Sequence, residues 1–122
     1  MMISEAIAAI ERSRPGMLSP SETIALLSST DHEVYSLYSR HALCPAAHFT
    51  GYTEDTPGDT LLLIPDQYSD IYLHRLEAKA DYDSGEIDRY NCSSALFNAE
   101  WERFERFWRG SHRPLSGKWR LE

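Results

Sequence analysis

The chain has 122 residues and a formal net charge of −7, with 42% hydrophobic residues that include three Trp, seven Tyr and four Phe. That length and content suit one domain with a real core and exclude a wholly disordered chain. The sequence holds no run of about 18 apolar residues, which excludes a membrane-spanning helix, and its two cysteines, Cys44 and Cys92, are too few for a disulfide framework. Both thiols are expected to be free, in a reducing compartment. The opening "MMISEAIAAIERSRPG" carries early acid and does not suit a secretory signal.

In "ISEAIAAIER", Ile3, Ala6, Ile7 and Ile10 fall at i, i+3, i+4 and i+7, which predicts an amphipathic helix stopped by "SRPG". "LSPSET" restarts a helix, with Ser19 as N-cap, Pro20 at the first helical position and Glu22 closing a capping box. Ile24, Leu26 and Leu27 supply its apolar side. Thr30 and Glu33 form a second capping box, which predicts a break or kink near residues 28–31. A further helix is expected through Val34, Tyr35, Leu37 and Tyr38 to about His41, before Cys44-Pro45.

Residues 46–63 change character, with Pro and Gly mid-segment and short extended pieces at "HFTGY" and "TLLLI". A β-hairpin around "DTPGDT" and a long ordered loop are both open. Long loops in compact domains are usually functional. This one is expected to project from the body and contact a neighbouring subunit, through Phe49, Tyr52, Glu54, Asp55 and Asp59.

Pro65 presets a helix from about Asp66 to Ser84, buried through Tyr68, Ile71, Tyr72, Leu76 and Ala80, and Gly85 terminates it. The next helix begins at Glu86. Its apolar positions, Ile87, Tyr90, Ser94, Phe97, Trp101, Phe104 and Trp108, are spaced 3, 4, 3, 4, 3, 4, a heptad seam. Two long helices joined this tightly must form an antiparallel hairpin over residues 66–109. The predicted class is therefore mainly α: a small helical bundle in one domain, residues 1–109, with an extended tail, residues 110–122, beyond Gly110.

Charge is unevenly placed. Residues 1–102 carry 17 acids against 6 Lys/Arg, a net of −11, while residues 103–122 carry 6 Lys/Arg against 2 acids, a net of +4. An acidic body with a basic tail suggests docking on an acidic surface, including another copy of the chain. In the tail, Arg109, Arg113, Lys118 and Arg120 frame Leu115 and Trp119, and Trp with Arg is the usual anchor pair of protein interfaces. The same alternation of basic and aromatic residues suits nucleic acid, although an acidic body repels phosphate.

Chemical motifs are scarce. His41, Cys44 and His48, with Cys92 as a fourth ligand, offer zinc-type donors, but Pro45 breaks the helix between them and the plainer reading is a buried thiol near surface histidines. "DYDSGEID" starts like a calcium loop, yet counting from Asp81 puts glycine at position 5 and Cys92 at position 12, and the site is rejected. Asp81 and Asp83 read as acids of an exposed helix with nothing to raise a pKa. No G-x-S-x-G and no glycine-rich phosphate loop occur. The chain is read as a non-enzyme with no cofactor and no metal.

Taken together, "LLLIPDQYSDIYLHRLEAKADYDSGEIDRYNCSSALFNAEWERFERFWR" resembles the head–tail connector (adaptor) proteins of tailed bacteriophages and prophages. The family pattern has a start like "ISEAI…RP", an "F-x-GY" piece, "LL-[IV]-P-x-x-Y-x-[ED]-[IL]-Y", and "D-Y-x-x-GE-x-x-[RK]-YN…A-[LM]-FN-A". These correspond to Ile3 to Pro15, Phe49 to Tyr52, Leu62 to Tyr72, and Asp81 to Ala99. Family members end near "YNRTHMP"; "FWRGSHRP" matches that frame and "LSGKWRLE" extends past it. The resemblance implies a structural virion subunit that forms a ring, dodecameric by analogy, under the portal protein. The ring would carry the DNA channel toward a tail-side stopper or tail-completion protein, with DNA passing through without specific binding and no membrane involved. Its place would be the head–tail interface of the virion, and the host cytoplasm during assembly. The other reading is a small nucleic-acid-binding regulator that uses the basic tail.

Overall fold

A computed structural model of the chain describes residues 1–41 and 49–111. Four α-helices, α1 (Ile3–Ser13), α2 (Pro20–His41), α3 (Asp70–Asp83) and α4 (Ile87–Ser111), form a mainly helical bundle, with a 3-10 turn at Asp66–Tyr68 before α3. No strand occurs among the described residues.

Helix α1 buries Ile3, Ala6 and Ile10, the stripe expected from its spacing. At the start of α2 the capping box forms in both directions: the Ser19 amide donates to Glu22 Oε1 at 2.9 Å and the Glu22 amide donates to Ser19 Oγ at 3.1 Å. The predicted break at residues 28–31 is absent, and α2 runs unbroken from Pro20 to His41. Thr30 caps nothing; its hydroxyl donates back to the Leu26 carbonyl at 2.9 Å, four residues earlier. A continuous helix is what places Leu27, Val34 and Leu37 together in the core, and that burial outweighs a weak local start signal.

Residues 49–64 are a long loop, not a β-hairpin. Its bridge is antiparallel and joins Leu61 to Met2. The Ile3 amide donates to the Thr60 carbonyl and the Ser4 amide to Gly58, at 3.1 and 2.9 Å. The loop thus packs against the start of α1 and, through Phe49 and Tyr52, against α2 instead of projecting. Turn residues at "DTPG" supply curvature, while the strand-like pairing goes to a distant chain segment.

The hairpin of α3 and α4 closes at Gly85, at φ +77°. The Gly85 amide bonds Tyr82 O at 3.2 Å and the Glu86 amide bonds Asp81 O at 3.0 Å, the paired bonds of a Schellman ending that needs a left-handed residue here. Helix α4 continues through Gly110 to Ser111, so Gly110 does not end the second arm as expected. One interior glycine costs only about 1 kcal/mol relative to alanine.

Helix α4 lies along α3, and its C-terminal half joins the rest of the bundle through rings. Phe104 is fully buried. Trp108 stacks on Tyr38 of α2 with centroids 4.0 Å apart, and Tyr68 meets Phe104 and Phe107 at 5.6 and 5.3 Å. The N-terminal half of α4 is rotated from the predicted seam. Ile87 is 58% exposed, while Ser93, not Ser94, is buried.

Candidate interaction site

Two buried carboxylates fix which faces of the helices turn outward. Asp31, in the middle of α2, is fully buried. Its Oδ1 accepts from the Tyr72 hydroxyl at 2.5 Å, and its Oδ2 accepts from the Tyr52 hydroxyl at 2.5 Å and the Leu63 amide at 3.0 Å. The Tyr72 hydroxyl in turn accepts from the Ile64 amide at 2.8 Å, and the Tyr38 hydroxyl donates to the Leu63 carbonyl at 2.7 Å. Burial pushes the Asp31 carboxyl up, against the pull of these donors. Burial beside a carboxylate also raises all three phenols, Tyr38, Tyr52 and Tyr72, so each stays protonated and donating.

Asp81, at the end of α3, is the second junction. It is buried, contrary to its reading as a surface acid. Arg14, just past α1, donates to both of its oxygens from one edge of the guanidinium, Nε at 2.8 Å and Nη2 at 3.2 Å, and Ser93 of α4 donates to it at 3.0 Å. The Arg14 bond holds the Asp81 carboxyl below its ordinary value despite burial. Seating Ser93 on Asp81 is what turns Ser94 and Ile87 away from the interior. Ser13 bonds Glu77 beside this junction.

That rotation opens a groove of about 470 Å³ on the outer side of the hairpin, walled by Leu26, Ala78, Tyr82, Tyr90, Ser94 and Phe97. Tyr82 and Tyr90 stand 5.5 Å apart at one end. At the other, Phe97 stacks toward Trp101 at 6.1 Å and carries the Arg75 guanidinium 5.3 Å over its ring. Both cations of the wall are in ion pairs, Arg75 with Glu33 at 2.8 Å and Lys79 with Asp83 at 3.0 Å. Aromatic, open and charge-compensated, the groove suits an apolar or aromatic side chain arriving with positive charge.

The expected site residues divide. Tyr72, Leu76 and Phe104 are buried, Tyr68 and Trp101 are half-buried, and Tyr90 and Phe97 line the groove. Phe49 and Tyr52 of the loop face inward, meeting each other at 5.2 Å, with Phe49 also 4.9 Å from His32. Glu54, Asp55 and Asp59 are exposed on the loop, Glu54 accepting from Ser21 at 2.5 Å. Arg109 is exposed and paired with Glu105 at 3.1 Å. Arg113, Leu115, Lys118, Trp119 and Arg120 lie outside the described residues, as do Cys44 and His48 of the zinc-type motif; Cys92 is exposed on α4. Among the described residues no group of three or more His, Cys, Asp or Glu is arranged to hold a metal ion.

Sequence reasoning passed over Asp31, Arg14 and Ser93. A signal for Asp31 existed: it falls in step with Leu27, Val34 and Tyr38 on one helical face, and a charge on an apolar stripe implies buried partners. Arg14 and Ser93 carry no such local sign. No family model, curated protein or solved structure matches the chain.

Proposed function

We propose that the chain is a structural head–tail connector subunit of a tailed phage. Copies form a ring beneath the portal, extend the DNA channel and receive the tail-side stopper or completion protein. The observation that carries this reading is where the family-like segments fall in the fold. "F-x-GY" supplies Tyr52 and "LLLIPDQYSDIY" supplies Leu63, Ile64 and Tyr72, all at the Asp31 junction. "DYDSGE" supplies Asp81 and the Gly85 turn. The segments that resemble the family are the joints of this helical bundle, which is what a shared scaffold requires. The work assigned is docking and channel continuity, without catalysis.

Charge agrees with such a role. Residues 1–111 hold 18 acids against 9 Lys/Arg, and an acidic wall lets DNA slide without sticking. The nucleic-acid regulator draws on a basic tail, but two of the three arginines at the end of α4, Arg103 and Arg109, are paired with Glu100 and Glu105. The test is to look for a portal gene in the same genome and to image this chain co-expressed with its product. Rings of the chain seated on the portal are expected. Portal particles that stay bare in excess of the chain overturn the reading, as does tight, salt-dependent duplex binding by the chain alone.

A further inference from the structure

The groove beside the hairpin, bordered by Leu26 of α2, is an open and largely aromatic surface among the described residues, although half of the α4 seam lies there. Tyr82 is 63% exposed and Ile87 58%, and Tyr90, Ser94 and Phe97 continue the strip along α4. We infer that this groove receives the C-terminal segment of a second copy of the chain, residues 112–122, with Trp119 seated among Tyr82, Tyr90 and Phe97. The inference deepens the connector reading by naming one contact between copies.

Three observations select that occupant. The first is charge. Residues 1–111 sum to −9, while residues 112–122 hold Arg113, Lys118 and Arg120 against Glu122, a net of +2. The groove's own cations, Arg75 and Lys79, are engaged by Glu33 and Asp83, and exposed Glu86 and Asp88 stand at the adjoining turn against one exposed cation, Arg89. The second is side-chain chemistry. A wall of Tyr82, Tyr90 and Phe97 suits a flat aromatic anchor flanked by cations, and Lys118-Trp119-Arg120 supplies one.

The third is reach, which favours another copy over the same one. Helix α4 ends at Ser111. At a rise of about 1.5 Å per residue, Tyr90 lies roughly 31 Å back along the helix and Ser94 roughly 26 Å. Trp119 follows Ser111 by eight residues, which span at most about 26–29 Å when fully extended. A chain leaving the helix end must first reverse direction, so its own Trp119 reaches the Tyr82–Tyr90 end only with the whole segment almost fully extended. The groove of a neighbour carries no such limit. Tail and groove are different surfaces, so the contact is heterologous and closes a ring or builds an open string.

Cross-linking between two full-length chains tests this directly. Both carry Cys44→Ser and Cys92→Ser; one adds Ser94→Cys and the other Lys118→Cys. Under mild oxidation a covalent dimer is expected in the mixture, at least ten-fold above a mixture in which Arg12→Cys on α1 replaces Ser94→Cys. Adding Trp119→Ala to the Lys118→Cys chain should remove it. A single chain bearing both cysteines should give a ladder of multimers. A yield no higher than the Arg12→Cys control, or a doubly substituted chain that closes on itself as a monomer, overturns the proposal. Sedimentation equilibrium of the unlabelled chain gives a second measure: Tyr82→Ser, at an exposed position, and Trp119→Ala should each weaken self-association about ten-fold at unchanged melting temperature. A chain that stays monomeric at high concentration also overturns it. Failure here leaves portal binding to be judged by imaging, and bare portals leave this contact to be judged by cross-linking.

Discussion

The Tyr72 hydroxyl donates to Asp31 at 2.5 Å while accepting from the Ile64 amide at 2.8 Å. One phenol of α3 therefore satisfies a buried charge on α2 and a buried amide of the loop. Tyr72→Phe keeps the ring and removes both bonds, leaving the amide and one carboxylate position unpaired. A loss of about 1–3 kcal/mol is expected in urea unfolding, the range for orphaning buried polar groups. A loss below about 0.5 kcal/mol would show that water replaces the hydroxyl at no cost.

The two buried aspartates should respond to pH with opposite signs. Burial raises the folded-state pKa of Asp31, so its contribution is fully present below the unfolded value near 3.9 and is lost as pH rises through the folded value. Arg14 lowers the folded-state pKa of Asp81, so its contribution is present above that unfolded value and lost as pH falls through the folded one. Relative to wild type, Asp31→Asn should therefore lose more stability at acid pH than at neutral pH, and Asp81→Asn the reverse. Unfolding free energies measured from about pH 3 to pH 7 give both slopes; equal slopes would reject the assignment.

Aromatic truncations along α4 should grade with burial. Phe104 is fully buried and Trp101 half-buried. Phe104→Ala should cost roughly 3–5 kcal/mol, the range for emptying a core aromatic site, and Trp101→Ala about half of that. Chemical denaturation of the two variants side by side checks the order. A Trp101→Ala cost equal to or above that of Phe104→Ala would mean that the groove end of α4 is as closely packed as its core end.

Gly51 is constrained twice. It sits at φ +93°, and an added Cβ would come within 2.7 Å of Ser28 Oγ and 3.1 Å of His32 Nε2. Gly16, at φ +72°, has open space around its missing Cβ. Gly16→Ala should cost about 1–2 kcal/mol, the left-handed penalty alone, and Gly51→Ala clearly more. Thermal melts should rank them in that order. The reverse order would show that the loop yields freely at Ser28.

Truncation after Ser111 should leave the melting temperature nearly unchanged, because the buried residues of the described core all lie at or before Phe104. If the connector proposal holds, assembly on portals should fail. A truncated chain that melts much lower yet still docks would place Trp119 in the fold's own core.

The helical class, the capping box at Ser19, the stripe of α1 and the hairpin turn at Gly85 were legible because local spacing and backbone chemistry dictate them. A 3.6-residue period, a side-chain cap and a left-handed glycine each act within one or two turns of chain. The continuity of α2, the course of the loop and the rotation of α4 were not legible, since distant partners decide them. Thr30 reads locally as a cap, but Val34 and Leu37 must reach the core, so the helix continues. The "DTPGDT" segment leaves a hairpin and a long loop both open, and the choice is made by its extended backbone pairing with Met2 and Ile3 across more than fifty residues of chain. Heptad spacing along α4 fixes that a seam exists, not which way it points. Asp81 decides that by requiring Ser93 and Arg14 as partners, because a buried carboxylate left unpaired costs more than the exposure of Ile87. The outer groove is the result of that tertiary choice.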